Sequence, residues 1–200
     1  MKQQPAGVIL AGGLSTRMGG GDKVLLNLGG ATLLDRVIER LEPQVCDLAL
    51  NANGDSARFS TTLPILKDSI DGFAGPLAGV LAGLDWAAEQ GYSHIVTAAA
   101  DTPFFPCDLV PRLLLAAETA PIALAATPEE SRINRHPTFG LWPTELRDDL
   151  RSALESGLRK VVMWTDKHGT ALAEFETDPV DPFFNVNSPE DMELAEGMIL

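Results

Sequence analysis

The residues best suited to chemistry begin in a glycine-rich loop near the N-terminus. The stretch VILAGGLSTRMGGGDK runs from Val8 to Lys23 and carries five glycines, with Arg17 inside the loop. Glycines let a backbone approach an anion closely and direct successive N–H groups at it, and the two cations add positive charge. The loop is therefore expected to hold phosphate rather than to be a merely permissive turn, which would add to the entropy cost of folding without return. It is neither a P-loop, since Val24 follows the lysine, nor the G-x-G-x-x-G fingerprint of dinucleotide sites.

Polar residues follow other predicted strands at the point where each strand ends. Asn51 and Asn53 lie at the end of one strand, Asp68 follows the next, and Asp101 follows a third. Ligands of open parallel sheets bind outside the carboxyl ends of the strands, so these side chains are expected to meet the glycine loop at one edge. The alternative for each of these residues is an ordinary role in a turn or a cap.

The charge and composition of the chain exclude some classes of partner. The 200 residues carry a net charge of −13, whereas binding to nucleic acid depends on Lys and Arg that neutralise phosphates. No apolar run approaches the roughly 20 residues of a membrane span, and the N-terminus lacks the pattern of a signal peptide. Cys46 and Cys107 fit neither a CxxC pair nor a zinc spacing and are expected to be reduced thiols. We therefore expect a cytoplasmic protein that binds neither nucleic acid nor membrane.

The elements that must position these residues alternate between strands and helices. Apolar runs predict strands at 6–11, 45–52, 64–67 and 94–99. Helices are predicted at 32–41 and 108–115, and a further helix opens in the glycine-rich passage 71–80 and ends at about residue 89. This rhythm predicts an α/β fold with a Rossmann-like, mostly parallel sheet flanked by helices. The second half is less regular: we expect strands at 122–127 and 138–142 and helices at 144–154 and 188–199, and 159–165 stays open between helix and strand. In the last helix, Ser188 is the expected N-cap and Asp191 its capping partner. Without a repeat or a linker, residues 1–200 are expected to form one domain.

Several motifs together carry a resemblance to a known family. The loop LAGGLSTRMGGGDK is similar to the signature of nucleotidyltransferases that use nucleoside triphosphates, L-x-x-G-x-x-x-R-M-G followed by a lysine. Further motifs occur in the order of one subfamily: NAN at 51–53, DSIDGFAGPLAG at 68–79, ADTPF at 100–104, HPTFGL at 136–141 and FNVNSPED at 184–191. This set resembles the molybdenum cofactor guanylyltransferases, the MobA family, from about residue 6 to residue 193. The ordered set is much more specific than the glycine loop alone.

The resemblance implies a reaction and its site. The family transfers GMP from GTP onto molybdopterin with Mg²⁺ and releases pyrophosphate, on the fold of the nucleotide-diphospho-sugar transferases. Arg17, Lys23 and Asp101 are the implied catalytic residues, and Asp101 is the implied magnesium ligand. The implied nucleotide-binding positions are Leu10, Ala11, Gly12, Gly13, Lys23, Asn51, Asp68 and Asp101. The N-terminal half is expected to bind the nucleotide and the C-terminal half the acceptor.

The acceptor side is less sharply predicted. His136, Asn185 and Asn187 are the candidate acceptor-binding residues, and Asn187 is alternatively a second oxygen ligand of the metal. His136 is either a packed core histidine or a residue that faces the acceptor together with Arg132 and Arg135.

Two other functions stay open beside the guanylyltransferase. One is a sibling enzyme that uses CTP or another nucleotide on a different phosphorylated acceptor, and the other is a non-catalytic nucleotide-binding partner. The chain departs from the family in two places: Ala100 stands where relatives often have Cys, and three consecutive glycines follow Met18. We expect a monomer that docks transiently with other proteins of molybdenum cofactor biosynthesis or with molybdoenzymes.

Overall fold

The structure is a computed structural model. It describes residues 4–12, 22–70, 72, 75–129 and 132–199. Two of the predicted site residues, Gly13 and Arg17, lie outside the described residues.

A twisted sheet forms the centre of the molecule. Within the described residues, its seven strands lie in the order β5-β4-β1-β6-β8-β7-β9. These strands are β1 (Ala6–Leu10), β4 (Leu48–Asn51), β5 (Ile65–Leu66), β6 (His94–Ala99), β7 (Ile122–Glu129), β8 (Arg132–Pro143) and β9 (Thr170–Glu174), and a separate short hairpin pairs β2 (Asn27–Leu28) with β3 (Ala31–Thr32). Four of the six neighbouring pairs in the sheet are parallel, and β8 is antiparallel to both of its neighbours. The prediction of a mostly parallel α/β sheet is confirmed.

Helices cover both faces of the sheet. They are α1 (Leu33–Leu41), α2 (Pro76–Glu89), α3 (Leu109–Ala116), α4 (Arg147–Glu155), α5 (Val161–His168) and α6 (Pro189–Ile199). Side chains alternate between the two faces of a strand, so Ile9 of β1 packs in one core with α1 and α3, while Val8 packs in the other with α2, α4 and α5. A third, smaller core joins α6 to the β2–β3 hairpin. No helix among the described residues is long and apolar enough to cross a membrane.

The second half of the chain differs from its predicted elements. The strand expected at 138–142 is the end of a longer one, β8, which spans Arg132–Pro143 because its first half pairs only with β7. The segment left open at 159–165 is helical from Val161 onward, as the first part of α5, and its apolar residues Val161 and Trp164 are buried. The edge strand β9 is absent from the prediction, and it pairs in parallel with β7.

Candidate functional site

Three parallel strands bring the predicted residues to one edge of the sheet. The ladder continues to the last residue of each strand: the Ala11 N–H donates to the Asn51 carbonyl oxygen at 2.9 Å, and the Ala100 N–H donates to the Leu10 carbonyl oxygen at 3.0 Å. The residues that follow β1, β4 and β6 must therefore leave the sheet side by side. This edge is the one at which ligands bind in open parallel sheets.

At this edge the carboxylate of Asp68 is held by two amides. Asn51 Nδ2 donates to Asp68 Oδ1 at 3.0 Å, and Asn53 Nδ2 donates to Asp68 Oδ2 at 2.8 Å. Asn53 also accepts from the Asp68 N–H at 3.0 Å, which closes a reciprocal pair. Asn51 is almost fully buried and donates in addition to the Leu66 carbonyl oxygen. The carboxylate is thus fixed in position. Among the described residues each of its oxygens accepts one of these two hydrogen bonds, and a carboxylate oxygen can accept a second one from a ligand.

Two glycines give the Asn51 amide the space it occupies. A Cβ at Gly79, in the first turn of α2, would overlap Asn51 Oδ1 and lie 2.9 Å from Leu10 Cδ2. A Cβ at Gly12 would lie 3.3 Å from the same Asn51 oxygen. The requirement for glycine at position 79 is therefore steric and serves the Asn51–Asp68 pair. The sequence reasoning missed this residue although the motif that contains it was recognised, because the identity of its neighbour depends on how α2 packs.

A second cluster lies at the ends of β1 and β6. Lys23 Nζ donates to Asp101 Oδ2 at 2.6 Å and to Asn187 Oδ1 at 2.7 Å. The Lys23 and Asp101 side chains are 15% and 25% exposed, so solvent screens their ion pair only in part. Lys23 begins a single turn of 3-10 helix, Lys23–Leu25, whose Val24 is buried in the core, and this fixes where the lysine stem starts. The structure thus brings together three of the residues that were predicted to form the site.

The segment that carries Asn185 and Asn187 is fastened to the end of β6. The Val186 N–H donates to the Asp101 carbonyl oxygen at 2.9 Å, and the Val186 side chain is fully buried. The buried Thr102 hydroxyl hydrogen-bonds to Asn185 Oδ1 and lies 3.4 Å from Asp101 Oδ1. Thr102 was not predicted as a site residue, and the hydroxyl next to Asp101 was the only sign of it in the sequence.

The oxygens of this second cluster suit a hard divalent cation. Asp101 and Asn187 already converge on one cation, the Lys23 ammonium, and both present oxygen donors of the kind that Mg²⁺ prefers. Within the described residues there is no group of three or more His, Cys, Asp or Glu that could hold a metal by itself. Mg²⁺ commonly combines one or two carboxylates with phosphate oxygens of a nucleotide, and Asp101 could contribute in that way.

His136 lies on β8 and packs into the protein. Its Nε2 is 2.9 Å from the buried Thr127 Oγ1, and its ring stacks on the ring of Phe183 with centroids 4.2 Å apart. Burial lowers the pKa of His136 below its ordinary value, and the attraction of Asp181 opposes this in part. Since β8 runs antiparallel to β6, the half of β8 that contains His136 lies toward the edge at which β6 ends. These contacts agree with the alternative that His136 is a packed core histidine, and its role toward an acceptor stays a prediction.

The basic residues near His136 have acidic partners of their own. Arg135 Nη1 lies 2.6 Å from Asp166 Oδ1 on α5, and Arg132 pairs with Glu129 across the β7–β8 hairpin. Neither of these two ion pairs involves His136 or Asp101. Among the described residues, these contacts do not join either arginine to His136, and a shared role of the three residues toward an acceptor stays a prediction.

The fold recurs in solved structures of nucleotide-transferring enzymes. A molybdopterin-guanine dinucleotide biosynthesis protein A from Archaeoglobus fulgidus superposes with a TM-score of 0.72 at 21% identity, covering 97% of this chain and 98% of that one. A 2-C-methyl-D-erythritol 4-phosphate cytidylyltransferase from Thermus thermophilus superposes with a TM-score of 0.73 at 21% identity and the same coverage. At these identities the likeness establishes the fold alone, which this chain shares with both structures.

Sequence comparison narrows the class to a family. The model of the MobA-like NTP transferase domain matches residues 7–170, which is most of the chain. The molybdenum cofactor guanylyltransferase of Mesorhizobium japonicum is 49% identical over 205 residues, covering 100% of this chain and 98% of the relative. The chain belongs to the MobA-like NTP transferase family.

Proposed function

We propose that the protein transfers GMP from GTP to molybdopterin, forming the guanine dinucleotide form of the molybdenum cofactor and releasing pyrophosphate. The observation that carries the proposal is the assembly of Lys23, Asp101 and Asn187 beside the glycine-bounded end of β1. The nearly full-length relative named molybdenum cofactor guanylyltransferase supports the choice of reaction within the family. The likeness to a cytidylyltransferase structure is equally strong, so the fold by itself does not choose the nucleotide.

The chemistry asks more for positioning and charge than for a protein nucleophile. An oxygen of the acceptor's terminal phosphate attacks the α-phosphorus of GTP, the bond from that phosphorus to the bridging oxygen breaks, and pyrophosphate leaves with the electron pair. The attacking phosphate is already anionic near neutral pH, so no general base is required. Lys23 stabilises the negative charge that builds up around the α-phosphate, and Arg17 binds phosphate oxygens of the same nucleotide.

Magnesium is the cofactor that the donor set fits. Asp101 would hold it, with Asn187 as a second oxygen ligand. When bound, Mg²⁺ neutralises phosphate charge and orients the phosphate oxygens.

The Asp68 carboxylate and the Asn51 and Asn53 amides that hold it, here called the Asp68 clamp, are the candidate group that recognises the base of the nucleotide. Guanine presents N–H donors at N1 and at its 2-amino group, and a carboxylate with free lone pairs can accept from both. Asn51 and Asn53 hold the Asp68 carboxylate so that little side-chain entropy is lost when the base binds. The backbone at Leu10, Ala11 and Gly12 lies beside this clamp and forms the wall nearest the nucleotide.

The proposal is tested by assembling the reaction from purified parts. The protein is incubated with Mg²⁺, molybdopterin and either GTP or CTP, and the product is identified by mass spectrometry while pyrophosphate is measured. We expect the guanine dinucleotide and pyrophosphate in equal amounts with GTP, and neither with Asp101→Asn. Product from CTP and none from GTP would establish the sibling enzyme instead. Binding of GTP without any transfer would favour the non-catalytic alternative.

Several further properties belong to the same proposal. We propose that the protein works in the cytoplasm as a monomer, with the nucleotide in the N-terminal half and molybdopterin in the C-terminal half near His136, Asn185 and Asn187. Transient docking to proteins that make or use the cofactor fits a pterin product that is poorly suited to free diffusion. Light scattering after size-exclusion chromatography measures the mass of the particle, and a mass near 21.4 kDa is expected for the monomer.

A further inference from the structure

The carboxylate of Asp191 accepts more hydrogen bonds than a helix cap requires. Asp191 is the third residue of α6, and Ser188 is the N-cap. Asp191 Oδ2 accepts from the Ser188 N–H at 2.9 Å, while Ser188 Oγ accepts from the Asp191 N–H at 3.2 Å. These two bonds complete the capping box that the sequence predicted. A third bond lies outside the box: the same Oδ2 accepts from the Asn187 N–H at 2.8 Å.

The residue that makes this additional bond carries a side chain of the site. Asn187 Oδ1 accepts from Lys23 Nζ at 2.7 Å, and Lys23 Nζ also donates to Asp101 Oδ2. On its other side, Asn187 follows Val186, whose N–H is bonded to the Asp101 carbonyl oxygen. The backbone of Asn187 is therefore held from both sides, by the end of β6 and by Asp191. Asn187 therefore links the Asp191 carboxylate to the ammonium group of Lys23, since its N–H bonds to the former and its side-chain oxygen to the latter.

We propose that Asp191 is a positioning residue for the transfer reaction. It fixes the backbone at Asn187 so that the Asn187 amide oxygen holds the Lys23 ammonium in place, and it touches neither nucleotide nor acceptor itself. This inference rests on the proposed function, in which Lys23 stabilises the charge at the α-phosphate. The competing explanation is that Asp191 serves the stability of α6 and nothing else.

Ser188 provides a matched control for that explanation. Ser188→Ala removes the hydroxyl half of the capping box and leaves the Asn187 N–H bonded to Asp191. Asp191→Ala instead removes the one carboxylate oxygen that accepts from both the Asn187 and the Ser188 N–H groups. Asp191→Glu restores the residue type that capping boxes most often use at this position, so it is the conservative rescue. Asp191→Asn keeps an oxygen and the size of the side chain while removing the charge, and it serves if Asp191→Ala does not fold.

The experiment measures kcat and the KM for GTP beside the melting temperature of each variant. We expect kcat of Asp191→Ala to fall about tenfold or more with the KM for GTP changed less than about threefold, because a displaced charge acts on the transition state. Ser188→Ala is expected to lower the melting temperature and keep kcat within about twofold of the original protein, and Asp191→Glu is expected to recover kcat. Equal kcat in Asp191→Ala and the original protein would overturn the proposal, as would equal losses in Asp191→Ala and Ser188→Ala.

A structural readout separates this inference from the proposed function. In crystal structures of the unliganded variants, the contact between Asn187 Oδ1 and Lys23 Nζ is expected to persist in Ser188→Ala and to be lost in Asp191→Ala. That result does not depend on which nucleotide or acceptor the protein uses. Absence of transfer in the original protein would count against the proposed function, whereas an intact Asn187–Lys23 contact in Asp191→Ala would count against the role of Asp191.

Discussion

Lys23 Nζ lies 2.6 Å from Asp101 Oδ2, although the two residues are 78 positions apart in the chain. The lysine ends the glycine-rich loop after β1 and the aspartate follows β6, so the contact joins neighbouring strands at the edge of the sheet. It pairs the protein's own cation with the carboxylate that is expected to bind magnesium. A metal bound to Asp101 would therefore compete with Lys23 for this carboxylate, and a bound triphosphate would offer the ammonium other partners.

Replacing Lys23 tests its role in charge stabilisation. Lys23→Met keeps much of the stem and removes the ammonium, so kcat/KM for GTP is expected to fall by about 100-fold or more. Steady-state kinetics of pyrophosphate release measures this. Arg58→Met is a control on a nearby cation, since Arg58 pairs with Asp22 and not with Asp101. An unchanged kcat/KM in Lys23→Met would remove the lysine from the site.

The same variant is expected to bind divalent metal more tightly without nucleotide. In Lys23→Met, the Asp101 carboxylate loses its internal cation, so Mn²⁺ no longer has to displace the ammonium group. Electron paramagnetic resonance of free Mn²⁺ measures the affinity directly and needs no turnover. The gain should disappear in the double variant Lys23→Met/Asp101→Asn. Equal Mn²⁺ affinity in Lys23→Met and the original protein would show that the two cations do not compete.

Gly79→Ala tests whether the Asn51–Asp68 pair requires a residue without a Cβ at position 79. The added methyl group would overlap Asn51 Oδ1 and displace the amide that holds Asp68, so the KM for GTP is expected to rise about tenfold. Gly83→Ala is the matched control one turn further along α2. Its methyl group would press on Val8 and Ile95 in the core and is expected to cost about 1–3 kcal/mol of unfolding free energy with little change in KM. The hypothesis fails if the two variants have the same KM.

Asp68→Asn tests the proposed reading of the base. The replacement removes the charge and turns an amide N–H₂ group toward the donors of Asn51 and Asn53, so kcat/KM for GTP is expected to fall by about 100-fold. The kcat/KM for other nucleoside triphosphates should fall less, so the ratio of kcat/KM for GTP to that for the other nucleotides should decrease. Asp108→Asn, at an exposed carboxylate before α3, serves as the control. An equal loss with every nucleotide would assign Asp68 to the phosphates or to the fold.

The position of the site edge could be predicted from the sequence, but its hydrogen-bond partners could not. Parallel strands joined by helices must end at the same edge, and this rule predicts from the sequence that Asn51, Asp68 and Asp101 lie there. The contact between Lys23 and Asn187 does not follow from this rule. Asn187 is 164 residues away, and its segment is held at this edge by the burial of Val186 beside the β2–β3 hairpin and α6 and by the hydrogen bond from Val186 to Asp101. Local patterns carry no information on such a contact.

Two elements of the second half show the same limit. The segment Val161–Thr165 is a short apolar run whose pattern suits a buried strand or a helix, and the packing of Trp164 against Trp142 decides for the helix. The length of β8 depends on its pairing with β7 beyond the point where β6 ends. The alternation of apolar residues along one strand does not predict which strand it pairs with or over what length.

The buried position of His136 predicts a loss of stability in mild acid. Burial lowers its pKa from the ordinary value of 6.5, so the folded protein binds this proton less readily than the unfolded chain. As the pH falls below about 6.5, the unfolded state takes up more protons, and the free energy of unfolding decreases until the pH passes the lowered pKa. His136→Gln removes this contribution, so its free energy of unfolding should decline less than that of the original protein from about pH 7 to about pH 5.

Urea denaturation at several pH values measures this difference. Comparison at about pH 8, where the imidazole is neutral in both states, gives the cost of losing the contacts with Thr127 and Phe183 alone. His94, whose pKa burial also lowers, is present in both proteins and contributes equally to the two curves. Parallel pH profiles for His136→Gln and the original protein would show that the protonation of His136 is not linked to folding.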